Sequence, residues 1–333
     1  MSYIITVIPG DGIGPEVVSA ARRVIDASGV GIEWREAAAG QVALEELGDP
    51  LPEATLESVR TADATLKGPT ATSKGIGFRS VNVALRQQLC LYANFRPARS
   101  LPGVKTRYDD VDLIVIRENT EGLYSGLEHT IVPGVVESLR IITAKASERI
   151  ARFAMETAVR QGRKRVTCVH KANILKLSDG LFLESCRKVA AEFPQVEFED
   201  CIVDAAAMKL VSNPYAFDVL VMENLFGDIL SDLTSGLVGG LGVTPSANIG
   251  EDMAVFEAVH GTAPDIAGKG VANPTAIILS GVLMLRFLGE SGAADRVEEA
   301  VRRVLADEKT RTGDLGGRAS TQEFAEGVIA AMD

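Results

Sequence analysis

Apolar and polar positions divide this chain into strands and helices from its first residues. Residues 4–8 form a β-branched run, the segment GDGIGPE after it is polar and glycine-rich, and helical apolar spacing runs over 17–27. That order reads as strand, glycine turn, helix. Further apolar runs predict strands at 64–67, 113–117, 165–170 and 218–222, and helices at 146–161, 181–192, 224–240 and 273–288. Alternation of this kind implies an α/β protein with a mostly parallel sheet. Residues 294–305 read as an amphipathic helix, and a closing helix over 321–332 follows Ser320, which with Glu323 fits a capping box. Asn273 and Pro274 read as N-cap and first residue of the helix they precede. The glycines of the first turn fall at 10, 12 and 14, with Pro15 next. A Rossmann fingerprint needs its third glycine three residues after the second, so this turn does not by itself carry a dinucleotide site.

Composition narrows the class. The chain has 333 residues, 46% of them hydrophobic, which supports one large core or two smaller ones. A net charge of −11 without a basic run argues against a nucleic-acid partner. No apolar run reaches the roughly 18 residues that a membrane span needs. The opening, MSYIITVIPGDGIGPE, enters a strand at once with no basic or amphipathic leader, so we expect a soluble, cytoplasmic protein. Cys90, Cys168, Cys186 and Cys201 are far apart, without metal spacing, and read as buried or neutral thiols in a reducing compartment. We expect Cys90 to serve packing.

Four places hold candidate chemistry. The stretch FRSVNVALRQQLCLYANFRP, residues 78–97, sets Ser80, Asn82, Arg86 and Arg96 around an apolar segment. A helix starting near Ser80 stacks Asn82 and Arg86 one turn apart. A hydroxyl, an amide and a guanidinium together suit a carboxylate, and two arginines suit a substrate with more than one. Arginines flanking an apolar helix also serve as solvated caps. In NLFGDILSD, Asp228 and Asp232 lie at i and i+4, where like charges repel unless a cation or an arginine sits between them; a solvated face is the alternative. Arg117 ends a buried strand, where α/β proteins bind ligands. Taken on position alone, Tyr124 reads as a packed surface aromatic, Lys171 as an exposed charge, and the turn-rich HGTAPDIAGKGVANP as a connector.

The Ser80, Asn82 and Arg86 spacing resembles the substrate helix of isocitrate dehydrogenases. These belong to a family of metal-dependent, decarboxylating β-hydroxyacid dehydrogenases that also includes 3-isopropylmalate, homoisocitrate and tartrate enzymes. The resemblance runs from GDGIGPE to DLGG. It implies a two-domain fold distinct from Rossmann, with residues 1–92 and 239–333 in a large cofactor-binding domain and 93–238 in a small one. It also implies a homodimer with shared active sites, the arm 121–140 being exchanged between subunits.

The site roles follow from the same resemblance. Ser80 and Asn82 would hold the distal carboxylate of isocitrate, and Arg86, Arg96 and Arg117 would bind and orient the substrate. Tyr124 would protonate the carbon that loses CO2. Lys171, acting across the dimer, would join the proton relay on the C2 hydroxyl. Asp228 and Asp232, with Asp204 of the other subunit, would bind Mg2+ or Mn2+. His260, Gly261, Asp265, Ile266 and Asn273 would hold the adenosine side of NAD, with Thr72 and Asn173 toward the nicotinamide. Asp265 suits the ribose hydroxyls of NAD and repels a 2′-phosphate. Two departures are Ala71, where relatives often carry Thr, and Cys90, where many carry Asp. The activity implied is NAD-dependent oxidative decarboxylation of isocitrate to 2-oxoglutarate. Homoisocitrate or 3-isopropylmalate as substrate, or a non-catalytic regulatory subunit, are the rivals.

Overall fold

The computed structural model describes residues 2–71 and 80–333; Thr72 lies outside them. In the first third of the chain, β1 (Tyr3–Ile8), α1 (Gly14–Ala27), β2 (Ile32–Glu36), α2 (Gln41–Leu47), α3 (Glu53–Arg60), β3 (Ala64–Lys67) and α4 (Val81–Gln88) follow one another. The middle holds β4 (Ala93–Arg99), β5 (Asp112–Glu118), the hairpin β6 (Gly122–Val132) and β7 (Val135–Ile141), then α5 (Ala144–Arg160), β8 (Arg165–His170) and α6 (Ser178–Ala190). After these come β9 (Glu197–Ile202), α7 (Val203–Ser212), β10 (Val219–Met222) and α8 (Asn224–Leu237). The chain closes with β11 (Pro245–Ile249), β12 (Ala254–Ala258), α9 (Thr275–Phe287), α10 (Ser291–Ala306) and α11 (Thr321–Ala330).

Among the described residues, ten strands form one sheet in the order β2-β1-β3-β12-β11-β4-β5-β10-β8-β9. Both wings are parallel, as the strand–helix alternation predicts. The centre is antiparallel: β11 pairs with β12 and with β4, and β4 with β5. Residues 247–249 thus pair with 93–95 across the expected domain boundary. Strands β3, β10 and β12 are buried throughout, because helices cover both faces. α9 is buried nearly all round and packs against α1, α10 and the central strands.

Element limits moved where local chemistry differed from the pattern. α1 begins at Gly14, with Pro15 in its first turn, where the missing N–H costs nothing. α8 stops at Leu237 because Gly239 and Gly240 take φ of +119° and +103°. α9 starts at Thr275: Pro274 is its N-cap, and Asn Oδ1 at position 273 accepts the Thr275 N–H at 2.9 Å from one residue further out. The packing role expected of Cys90 is not met. It is exposed and takes φ of +49° just after α4. The closing capping box is present, with both Ser320 and Glu323 bonds made. No helix among the described residues is long and apolar enough to cross a membrane.

Candidate active site

The site gathers where α4, β4, β5 and α8 meet. Ser80 is the N-cap of α4, and Val81, Leu85 and Arg86 form its buried side. Asn82 accepts a hydrogen bond from Thr70 Oγ1 at 3.2 Å. Arg86, one turn on, reaches Glu257 on β12 at 3.3 Å. Arg96 on β4 donates to Ser231 Oγ at 2.5 Å and Asp232 Oδ1 at 3.1 Å. Arg117 on β5 is fully buried; its Nε and Nη2 donate to Asn224 Oδ1 at 3.0 and 2.7 Å, and its Nη1 to Asp228. Tyr124 donates to the other Asp228 oxygen at 2.5 Å, with the Arg117 guanidinium 5.0 Å from its ring centroid. The two aspartates of α8 therefore face arginines, one answer to their like-charge repulsion.

The electrostatics show that the arginines converge. Burial and then the charge of Arg86 lower Arg96, and the same causes, with Arg96 added, bring Arg117 down to about 10. Burial pushes the Asp228 carboxyl up, but Arg117 and the Tyr124 hydrogen bond outweigh it and hold it below the usual range. Asp232 goes the other way: burial raises it, and Arg96 does not fully offset that. Burial and the bond to Asp228 raise Tyr124, so its phenol keeps its proton at neutral pH.

Lys171 and Asp204 form a separate group. Lys171 follows β8, Asp204 opens α7, and the two side chains pair with each other. Their hydrogen bond holds Asp204 below the usual carboxylate range. Among the described residues, neither side chain bonds Asp228, and no cluster of three His, Cys, Asp or Glu forms a metal site. Asn173 is exposed in the turn after Lys171.

The expected cofactor loop packs on the first glycine turn. A Cβ at Gly12, which has φ of +61°, would collide with the Thr262 carbonyl; one at Gly10 would strike that of Pro69. These glycines therefore serve close backbone approach. Glu16 accepts from the N–H groups of Gly270 and Ala272 at 3.2 and 3.0 Å, fixing the loop's far end. His260 Nδ1 donates to the Gly261 carbonyl at 3.0 Å, which leaves Nε2 as an acceptor, buried and without a partner among the described residues. Burial lowers the His260 pKa, keeping the ring neutral. Gly261 and Asp265 are exposed, Ile266 is partly covered, and Asn273 is buried with its amide donating to Asp314 at 2.9 Å.

Residues 4–328 match the isocitrate/isopropylmalate dehydrogenase family. The chain belongs to this family. An Arabidopsis thaliana relative named isocitrate dehydrogenase (NAD) catalytic subunit 5, mitochondrial, is 56% identical over 97% of this chain and 87% of its own. A Solanum tuberosum relative named 3-isopropylmalate dehydrogenase, chloroplastic, is 55% identical over 91% of this chain and 85% of its own. A crystal structure of isocitrate dehydrogenase from Methylococcus capsulatus superposes with a TM-score of 0.96 at 54% identity, covering 99% of both chains. These relatives correct the expected location: family members this similar are named mitochondrial or chloroplastic, so a cytoplasmic location is not supported.

In this family member, the sequence reading missed a buried network behind Arg86. Glu257 accepts from Lys67 at 2.7 Å, from Asn248 at 2.8 Å and from Arg86. Asn248 Oδ1 in turn accepts from Asn94 and Asn119 at 3.0 and 2.9 Å. Burial opposes the Glu257 charge, but Lys67 and Arg86 outweigh it and bring its carboxyl down to about 2. Asp11 was also missed: it accepts from the N–H groups of Gln41, Val42 and Ala71, so it fixes the turn leading toward Thr72. A carboxylate between the first two glycines of the turn was the available signal.

Proposed function

We propose that this protein is an NAD-dependent isocitrate dehydrogenase that releases CO2 and forms 2-oxoglutarate. The observation that carries the reading is the convergence of Arg86, Arg96 and Arg117 on one carboxylate-lined cleft holding Asp228, Asp232 and Tyr124. Three guanidiniums suit a tricarboxylate, and the polar pair Ser80 and Asn82 on α4 suits its distal carboxylate. An isopropyl group offers that pair nothing to bond. The names of most similar relatives support the same reading. Against it stands the 55% identical potato protein, so 3-isopropylmalate is the substrate to compare first.

In this reading the arginines bind and orient the substrate. Asp228 and Asp232, joined by Asp204 from a second copy, offer an all-carboxylate donor set that suits a hard cation, Mg2+ or Mn2+. Held there, such a cation would supply Lewis-acid polarisation of the C2 oxygen, and bound NAD would supply the hydride acceptor. Lys171 from the second copy joins the proton relay on the C2 hydroxyl, and Tyr124 Oη delivers a proton to C3 after CO2 leaves. His260 Nε2, an acceptor without a partner among the described residues, fits the adenine side of NAD with Gly261, Ile266 and Asn273; Asp265 selects NAD by its ribose, and Asn173 serves the nicotinamide side.

Sharing between copies is supported by the Lys171–Asp204 pair, whose side chains bond each other and not the arginine cluster among the described residues. It is also supported by the hairpin β6–β7, which leaves Ile131, Val132, Val135 and Val136 about half exposed or more. A homodimer with this hairpin in its interface covers them. The antiparallel β11–β4 pairing is then the seam between residues 1–92 with 239–333 and residues 93–238. The test is NADH formation with isocitrate, homoisocitrate and 3-isopropylmalate, with NAD or NADP, with Mg2+ and with chelator. Preference for either other acid overturns the substrate, and no turnover of any of the three overturns the enzyme reading.

A further inference from the structure

The hairpin β6–β7 is exposed along most of its length, yet Arg140 near its end turns inward, with a side chain only 14% exposed. Its Nη1 bonds Asp179 Oδ1 and approaches Ser178 Oγ at 3.3 Å, both in the first turn of α6. Its Nη2 lies 3.3 Å from Glu223 Oε1 as an ion pair, without a hydrogen bond among the described residues, and the guanidinium stands 5.3 Å from the Phe226 ring centroid.

Both carboxylates are already committed elsewhere. Asp179, 1% exposed, accepts the Lys171 backbone N–H at 2.6 Å through its other oxygen. Glu223, 2% exposed, is the N-cap of α8 and accepts the N–H groups of Phe226 and Leu225 at 3.0 and 3.1 Å. The next peptide is held as well: Ala172 N–H donates to His170 Nδ1 at 3.0 Å, and His170 Nε2 meets Asp200 at 3.2 Å. A continuous polar path thus runs from the Lys171 backbone through Asp179, Arg140 and Glu223 into the start of the helix that carries Asp228 and Asp232.

Two buried carboxylates on different elements face each other only if a cation stands between them, and a guanidinium can serve both with separate nitrogens. We propose that Arg140 is a positioning residue that fixes the Lys171 turn relative to α8 and ties both to the hairpin. This rests on the roles proposed above for Lys171 and α8. Arg140 touches no reacting atom. It acts by setting the angle from which Lys171 is presented and the register of the helix bearing the two aspartates. Because it belongs to the hairpin, order in the hairpin and alignment of the catalytic elements are one event.

The experiment uses the full chain carrying Arg140→Met, Arg140→Lys, Asp179→Asn, the Arg140→Met/Asp179→Asn double, and Lys171→Met as control. Light scattering and thermal melting check assembly and folding. The expected result is a kcat reduced on the order of 10- to 100-fold in Arg140→Met, with a much smaller change in KM for isocitrate. Arg140→Lys should recover part of the loss, and the double should be no slower than Arg140→Met, since both act on one path. A wild-type kcat in folded, assembled Arg140→Met, or a double whose losses multiply, overturns the proposal. If Arg140→Met does not fold, Asp179→Asn carries the test: the same split supports the proposal, and wild-type kcat overturns it. Wild-type turnover in Lys171→Met instead overturns the site reading; loss there with wild-type kcat in Arg140→Met overturns this inference alone.

Discussion

Tyr124 and Asp228 share a short hydrogen bond, 2.5 Å from the phenol oxygen to Oδ2, while Arg117 holds the other oxygen of the same carboxylate. The phenol is thereby the donor, and burial keeps it protonated. In the function proposed above, this neutral phenol is the group that gives its proton to the developing carbanion.

Replacing Tyr124 by Phe removes that proton but leaves the three arginines in place. We expect kcat to fall on the order of 100-fold or more while isocitrate binding, measured by calorimetry, stays near wild type. Unchanged turnover would remove Tyr124 from the mechanism.

The proposed sharing of sites between two copies can be tested by complementation. Tyr124→Phe and Lys171→Met should each be nearly inactive, since every site in either homodimer is defective. After unfolding and refolding an equal mixture, half the dimers are mixed and each has one intact site, so activity should return to about a quarter of wild type. No recovery would mean that Lys171 serves the site of its own subunit.

The Glu257 carboxyl has a sign that can be checked against pH. It stays ionised in the fold down to about 2, against an ordinary 4.5, so on acidification the unfolded chain takes up the proton first. Its stabilisation, on the order of 3 kcal/mol, is complete above pH 4.5 and fades as pH falls toward 2. Glu257→Gln should be less stable at neutral pH by about 3–5 kcal/mol, because Lys67 and Arg86 lose their buried counter-charge. It should also lose less Tm than wild type between pH 5 and 3. Parallel acid melting curves for the two proteins would refute the assignment.

Asp265 is exposed on the cofactor loop, so its replacement should leave folding untouched. Asp265→Ala should raise KM for NAD about 10-fold, the value of one charge-assisted hydrogen bond, and narrow the preference over NADP. An unaltered NAD:NADP ratio would assign cofactor choice to other residues.

Much of this arrangement could be read from spacing. Asp228 and Asp232 at i and i+4, Ser80 before Asn82 and Arg86, and Ser320 with Glu323 each sit on one local element, and local periodicity sets who their neighbours are. β1, β3, β5, β8 and β10 were legible because buried parallel strands are continuous apolar runs. Glu257 was not legible: it lies inside a buried strand, and only the pairing of β12 beside β3 brings Lys67 to it. Arg140 hid for a similar reason, since Asp179 and Glu223 are 39 and 83 residues away in sequence. β2, β9 and the hairpin escaped the pattern because each carries charges among its apolar residues.

The sheet ends at β2 and β9, and those two strands carry IEWRE and EFEDCI. An open edge offers unpaired backbone groups to any other edge it meets. Here Glu33 and Glu36 at one end, and Glu197 and Asp200 at the other, stand exposed beside those groups. Two molecules approaching edge to edge would bring like charges together before their backbones could pair. The negative charge that makes a polyanionic substrate depend on a local arginine pocket therefore also protects concentrated solutions of the protein from strand-by-strand aggregation.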